Sequence, residues 1–327
     1  MKKQILATVM AGLFSATASA GPVFLDVGTD YNSDGDSLTG QFDQFGYSGT
    51  LSTSFYETDA TTGALTGVVR DTNDRATMDL LGFDVSLQTT LDGSTADANL
   101  ALGGITPYAY TSVPSQSNFD TLNPLDPTFG DAEGFGASYG LVYLYDIAGT
   151  LDFGTESANF NTGSFDVYFY DVATVTAAII AGGGSVSVED AIAANMDQVL
   201  ELAVTSSFND AGGLIVNGDV TFDFDGDGLD NDASVLAKSF VNDVDSGMSY
   251  YDLWNGGLNQ SLSFRLDTNV DPAIPTASTL VATTDGSGRV YRQGTLDGSV
   301  IVNVPEPASI ALMGLGLLGL GASRRRS

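Results

Sequence analysis

The chain has 327 residues, 41 Asp and Glu against 11 Lys and Arg, a net charge of −30, and neither histidine nor cysteine. Such acidity repels nucleic-acid phosphates and anionic membranes, which excludes a nucleic-acid-binding role. The missing residue types also remove Ser-His-Asp triads, Cys-His pairs, zinc-histidine sites and disulfides, so that of the common catalytic sets mainly paired carboxylates remain.

At the N-terminus, Lys2 and Lys3 precede an apolar run from Ile5 to Phe14, and Ala18-Ser19-Ala20 places small residues before Gly21. This is the layout of a secretory signal peptide, cut after Ala20 and passed through the Sec machinery. Residues 1–20 are therefore a leader. The body, 21–303, carries 40 acids and 6 bases, net −34, and is long enough to bury a substantial core. Divalent cations would relieve the self-repulsion of so acidic a surface.

Near the start of the body lies Asp30-Tyr-Asn32-Ser-Asp34-Gly35-Asp36. Oxygen ligands at positions one, three and five with glycine at six resemble the first half of an EF-hand-type calcium loop. Position twelve is Gln41, a poor bidentate ligand. Plain Asp-Gly turns use the same residues and remain the alternative.

Period-two alternation then dominates. Phe165, Val167 and Phe169 alternate with Asp166, Tyr168 and Tyr170; Val220, Phe222 and Phe224 with Asp219, Thr221 and Asp223; Leu262, Phe264 and Leu266 with Ser261, Ser263 and Arg265. Further β-rich runs cover 47–56, 78–91, 137–153, 200–206, 213–224, 279–283 and 290–302, separated by Gly, Asp, Asn and Ser. The pattern predicts a mainly β protein, an antiparallel β-sandwich with one wet face per sheet. Residues 103–134, rich in Gly and Pro, read as a long loop region with weak strands at best. One amphipathic helix is predicted from Val188 to about Gln198, with Ser187 as its cap, running into a strand near Leu200.

A second acidic run follows, Asp223-Phe-Asp225-Gly-Asp227-Gly-Leu229-Asp230-Asn-Asp232. It has the same spacing, with the Leu229 carbonyl as the seventh-position ligand, and plain Asp-Gly turns are again the alternative. Position twelve is Ser234, so Asp230 or Asp232 must supply the late carboxylate. A strand leads in, which favours a strand-flanked calcium loop over a helix-loop-helix. Tyr250, Tyr251 and Trp254 form a compact aromatic group, either a sugar-stacking platform or an ordinary strand face. The acids available for a glycosidase pair include only five glutamates in the body, Glu57, Glu133, Glu156, Glu189 and Glu201, and no pair stands out.

The chain ends with Val304-Pro305-Glu306-Pro307, an uncharged apolar run from Ala308 to Ala322, and Arg324, Arg325 and Arg326. Two prolines make a rigid, non-helical step. Fifteen apolar residues form a helix of about 22 Å, shorter than the ~30 Å hydrocarbon core. Snorkelling arginines, kept cytoplasmic, would help to hold it. This tail resembles the PEP-CTERM sorting signal of Gram-negative bacteria. The resemblance implies transient inner-membrane anchoring by a C-terminal hydrophobic sorting helix (the tail 304–327), recognition and removal of that tail by an exosortase at a bond the resemblance does not fix, and release to the cell surface or beyond.

A second resemblance rests on ELAVTS, NGDVTFDF, YYDLWNGG and FRLDTNVDP between Leu200 and Pro272. These phrases look like flocculation-associated PEP-CTERM proteins. The implied role is a structural or adhesive matrix protein in an exopolysaccharide-rich floc or biofilm, with no catalytic residue. Together with the acidic loops, this gives a non-enzymatic, Ca²⁺-stabilised matrix component as the leading expectation. A carbohydrate-binding or carbohydrate-cleaving surface protein is the alternative.

Overall fold

The computed structural model describes residues 24–40, 42, 44–83, 119–122, 130–183, 185, 186, 188–210, 213–221, 241–243, 248, 249, 263–268, 280–283 and 285–303. In chain order the elements are β1 (Phe24–Leu25), β2 (Gln44–Thr58), β3 (Leu65–Thr72), α1 (Arg75–Leu80), β4 (Phe119–Thr121), β5 (Tyr139–Asp152), β6 (Ser157–Asp171), α2 (Val172–Ala181), α3 (Val188–Ala193), β7 (Asp197–Asp210), β8 (Gly213–Thr221), β9 (Val241–Asp243), β10 (Met248–Ser249), β11 (Ser263–Thr268), β12 (Val281–Ala282) and β13 (Val290–Asn303).

The protein is mainly β, and its named strand pairings are antiparallel, as the alternation implies. Two sheets form. The smaller has the order β1-β9-β10, and the larger has ten strands. Within the larger sheet, β2, β3, β5, β6, β7, β8, β11 and β13 pair in succession, and β13 pairs again with β2. That last ladder runs from Val290↔Tyr56 to Ile301↔Gln44. Eight strands therefore close into a ring, with β4 and β12 as short additions. The opposing walls of a sandwich are here continuous along a shared edge.

The pleat sorts the side chains between the two faces. On β5, Tyr139, Leu141, Tyr143, Tyr145 and Ile147 enter the main core, where they meet Phe165, Val167 and Phe169 of β6 and Leu200, Leu202 and Val204 of β7. Aromatic rings fill much of this space: Tyr143 stacks on Phe165 with centroids 4.8 Å apart, and Tyr47 sits 4.9 Å from Tyr143. The alternate positions face outward and include Arg70, Asp146 and Asp166. Charge on that face and rings within is the reverse of a lipid-facing barrel. Among the described residues, no helix is long and apolar enough to cross a membrane. The predicted sorting helix lies outside them.

Two small apolar clusters pad the outer surface. Met78 of α1 joins Phe55, Phe83 and Tyr291. Val175 of α2 joins Val142, Ala191 and Ile192.

Local sequence departs from the predicted elements in four places. The run expected to be a strand from Met78 begins as a helix, because Asp74 caps it by accepting from the N–H groups of Ala76 (3.1 Å) and Thr77 (3.0 Å); residues 84–91 of that run lie outside the described residues. Val172–Ala181, to which periodicity assigns no element, is a helix capped by Asp171, whose Oδ1 accepts from Thr174 N–H at 2.7 Å. The helix predicted over 188–198 stops at Ala193. Asn195 turns the chain there, its amide donating to the Ala191 carbonyl at 2.7 Å, and Asp197 already pairs with Phe169. Ser187, the expected cap, lies outside the described residues. Finally, β3 is a strand despite its broken alternation, because it places a charged residue on the inner face.

That residue is Asp71, 2% exposed. It accepts from the hydroxyls of Ser52 (2.8 Å), Ser54 and Tyr145 (2.5 Å). Burial, followed by the charge and hydrogen bond of Asp71, raises the Tyr145 phenol well above its ordinary value and keeps it a donor. A buried carboxylate is tolerated when several donors replace its water. Asp71→Ala strands three hydroxyls around a void and is expected to cost about 3 kcal/mol or more, read as a shift in urea midpoint. Asp71→Asn is expected to cost less.

On the outer face, Asp146 accepts a two-pronged ion pair from Arg70, with Nε at 2.6 Å. Its neighbour Asp166 accepts from Ser164 Oγ (3.0 Å) and Gln198 Nε2 (3.3 Å). Burial pushes the Asp166 carboxyl up to about 7; Asp146 and Asp74 add to the shift, while the Ser164 bond opposes it. The folded state thus binds more protons than the unfolded chain between about pH 4 and pH 7. Stability from this group is present at low pH and lost as pH rises through 7. Asp166→Asn is expected to raise stability at pH 8 by on the order of 2 kcal/mol and to give little or no gain at pH 4, measured by denaturant titration at both values.

Candidate metal centre

One end of the ring, where β5 begins and β6 finishes, is covered by the segment that follows β1. Its ends are tied together: Val27 N–H donates to the Ser37 carbonyl (3.0 Å), Thr39 N–H to the Leu25 carbonyl (2.9 Å), and Leu25 N–H to Thr39 Oγ1 (2.9 Å). Leu25, Val27 and Phe42 insert into the main core and anchor both stems. The intervening tip holds the acidic run.

Within the tip, Asx-type bonds fold the backbone around its own carboxylates. Asp30 accepts from Ser33 N–H (2.6 Å) and Gly35 N–H (3.1 Å). Asn32 Oδ1 accepts from Asp34 N–H (2.9 Å), and Asp34 Oδ1 accepts from Asp36 N–H (3.2 Å). Asp36 Oδ1 accepts from Leu38 N–H (2.9 Å), which commits that oxygen to the turn back toward the core. Gly35 has φ of 115°, a backbone state that suits glycine, and Ser33 has φ of 65°.

A second segment, just before β5, meets this tip. Gly40 N–H donates to the Asp131 carbonyl (2.8 Å), and Asn32 Nδ2 donates to Asp131 Oδ1 (3.1 Å) and Asp34 Oδ2 (3.0 Å). Tyr31 N–H donates to Glu133 Oε2 (3.1 Å). The Tyr31 ring stacks on Tyr139 with centroids 5.8 Å apart, and its hydroxyl donates to Asp171 Oδ2 at 3.0 Å. Gly134, at φ +76°, allows the approach: a Cβ there would lie 2.8 Å from Ser138 Oγ and 3.3 Å from Tyr31 Cβ.

Asp30, Asp34 and Glu133 converge. One carboxylate oxygen of each lies within 4.8 Å of those of the other two. Asp30 and Asp34 are exposed, whereas Glu133 is 0% exposed and held in a left-handed backbone conformation with φ of 48°. Its Oε1 is buried and has no hydrogen-bond partner. Burial raises the Glu133 carboxyl above its ordinary value, and the charges of Asp34, Asp131 and Asp30 push the same way against the Tyr31 hydrogen bond. Asp131 is also raised, by burial and by Asp34 and Asp36. Neither segment, 24–40 or 130–138, contains a Lys or Arg. The arrangement offers hard oxygen donors and concentrated negative charge, which suit a hard divalent cation.

Of the sequence-expected residues, Asp30, Asn32, Asp34 and Asp36 fall together in this tip, with Asp36 turned toward Leu38. Gln41 lies outside the described residues. So do the second acidic run with Asp223, Asp225, Asp227, Leu229, Asp230 and Asp232; the aromatic group Tyr250, Tyr251 and Trp254; the leader with Ala18, Ala20 and Gly21; and the tail. Asp131 and Glu133 escape motif reading because they are 102 residues from the loop they join, taking Tyr31 and Glu133 as the measure. The local signal was a pair of acids two apart before a glycine, which a plain turn also explains.

Comparison with family models matches residues 303–326 to the PEP-CTERM protein-sorting motif. Neither the curated proteins nor the solved structures gave a match. The matched stretch contains Val304-Pro305-Glu306-Pro307 and the three closing arginines, Arg324, Arg325 and Arg326. The chain thus carries a PEP-CTERM sorting motif at residues 303–326, which supports an exosortase substrate and implies export with a membrane-anchored sorting signal before processing.

Proposed function

We propose that the processed protein is a structural or adhesive component of the extracellular matrix, acting in cell aggregation within a biofilm or floc and carrying out no catalytic step. The observation that carries this reading is the sorting motif at 303–326, which supports delivery to the cell exterior. The remainder of the protein suits that destination. A closed ladder presents fewer strand edges to neighbouring chains, which limits unspecific pairing in a crowded matrix. The acidic exterior disfavours direct contact with other anionic surfaces and favours association with hydroxylated polymers or, bridged by divalent cations, with acidic ones. Exopolysaccharide is the partner class this reading names, and the Sec machinery its route out of the cytoplasm.

Deleting the gene is expected to abolish cell aggregation while leaving polysaccharide turnover unchanged. Reducing sugar released from matrix polysaccharide by the purified protein would instead support a carbohydrate-cleaving role and overturn the reading. Processing has its own measurement. The intact mass of the released protein should correspond to a chain without the leader and without the arginine-ended tail. Replacing Glu306 and its two flanking prolines with alanine is expected to leave the unprocessed chain in the membrane fraction.

A further inference from the structure

The acidic tip and the segment before β5 combine into something that neither contains alone. The loop 30–36 has the early ligands of a calcium loop but lacks a late carboxylate in its own sequence. Glu133 brings one in from a distant part of the chain. Its Oε2 is held by Tyr31 N–H at 3.1 Å, while its Oε1 is buried with no partner. A buried carboxylate oxygen without a donor is costly, and the carboxyl group that bears it lies beside Asp30 and Asp34. Calcium binds oxygens at about 2.3–2.6 Å, so two ligands on opposite sides of the ion stand about 4.8 Å apart. The three convergent oxygens fit inside that limit.

We propose that Asp30, Asp34 and Glu133 hold a calcium ion, with Glu133 supplying the late carboxylate that the 30–36 loop lacks. Asn32 and Asp131, joined to each other at 3.1 Å, stand beside these three and complete the oxygen-rich surroundings. Calcium needs six to eight oxygens in a forgiving geometry, which mixed carboxylates and amides on two loops can supply; magnesium demands a stricter octahedron. The ion would neutralise a cluster that no nearby Lys or Arg of either segment offsets. It would also cross-link two segments far apart in sequence, fixing the cap on the end of the barrel. The site does not depend on the matrix role proposed above.

The test is calorimetric titration of CaCl₂ into the processed protein, recovered as its host releases it and stripped with chelator, alongside Asp34→Asn and Glu133→Gln. The expected parent affinity is in the range of extracellular calcium modules, about 10⁻⁴–10⁻³ M. Each variant is expected to bind one calcium ion fewer, or to bind it at least tenfold more weakly, and to lose part of the calcium-dependent rise in Tm. Asp34 is exposed, so its variant keeps the test informative should Glu133→Gln fail to fold. The competing way to satisfy Glu133 is a proton shared with Asp131. In that case the Asp34→Asn protein titrates like the parent, with equal stoichiometry and equal Tm gain, and the proposal is overturned. A parent protein that takes up no calcium overturns it as well.

Discussion

Pairing between β2 and β13 joins the first and last strands of the larger sheet. It brings residues 44–56 against 290–301 over most of the length of both strands. Without it, the remaining ladders make an open, strongly curved sheet with two long edges, each a row of unmatched donors and acceptors. With it, the inner face becomes an enclosed space that only side chains can fill, and the pleat decides which ones. The same closure fixes where anything else can be added. Helices α2 and α3 pad the outer wall, and the segment after β1 covers one end.

The enclosed space also explains why a few polar residues matter more than the many acids outside. Outer carboxylates such as Asp146 find Arg70 or face water. Asp71 has neither option, so three hydroxyls from β2 and β5 surround it. Its three donors sit on strands bonded to its own or next to it, which ties the register of β2, β3 and β5 together. A one-residue slip on β3 would place Val68 or Arg70 within and turn Asp71 out. The network therefore specifies alignment as well as adding hydrogen bonds.

Legibility in the sequence follows the same division. Strands β5 and β6 are plain in the alternation because their inner positions are almost all large and apolar. Strand β3 is not, since Asp71 occupies an inner position and a periodicity reading counts it as polar. Helix α2 hides because its Val, Thr and Ile residues are β-branched, and Asp171 as cap decides the matter. The early ligands of the candidate calcium site were visible from spacing, a local property. Glu133 was not, because its place beside Asp34 is created by the barrel: β5 must begin where β6 ends, so that Tyr31 can stack on Tyr139 and reach Asp171. Ring closure was equally invisible, since nothing local to residues 44–56 names residues 290–301 as their partner.

The sorting signal and the fold meet at one residue. Asn303 is the last residue of β13, paired with Ser263 of β11, and it is also the first residue of the matched sorting motif. No linker separates the strand that closes the barrel from the tail that tethers the chain. Pro305 and Pro307 lack the N–H groups that a continuing ladder requires, so the sequence ends the strand and begins the signal in the same few residues. A cut anywhere beyond Asn303 leaves every β13 pairing intact, whereas a cut a few residues earlier would remove part of the ladder to β11 and β2. Removal of the tail is in this way made independent of the stability of the fold. The acidic barrel can complete itself while the tail is still present and lose that tail without losing a strand.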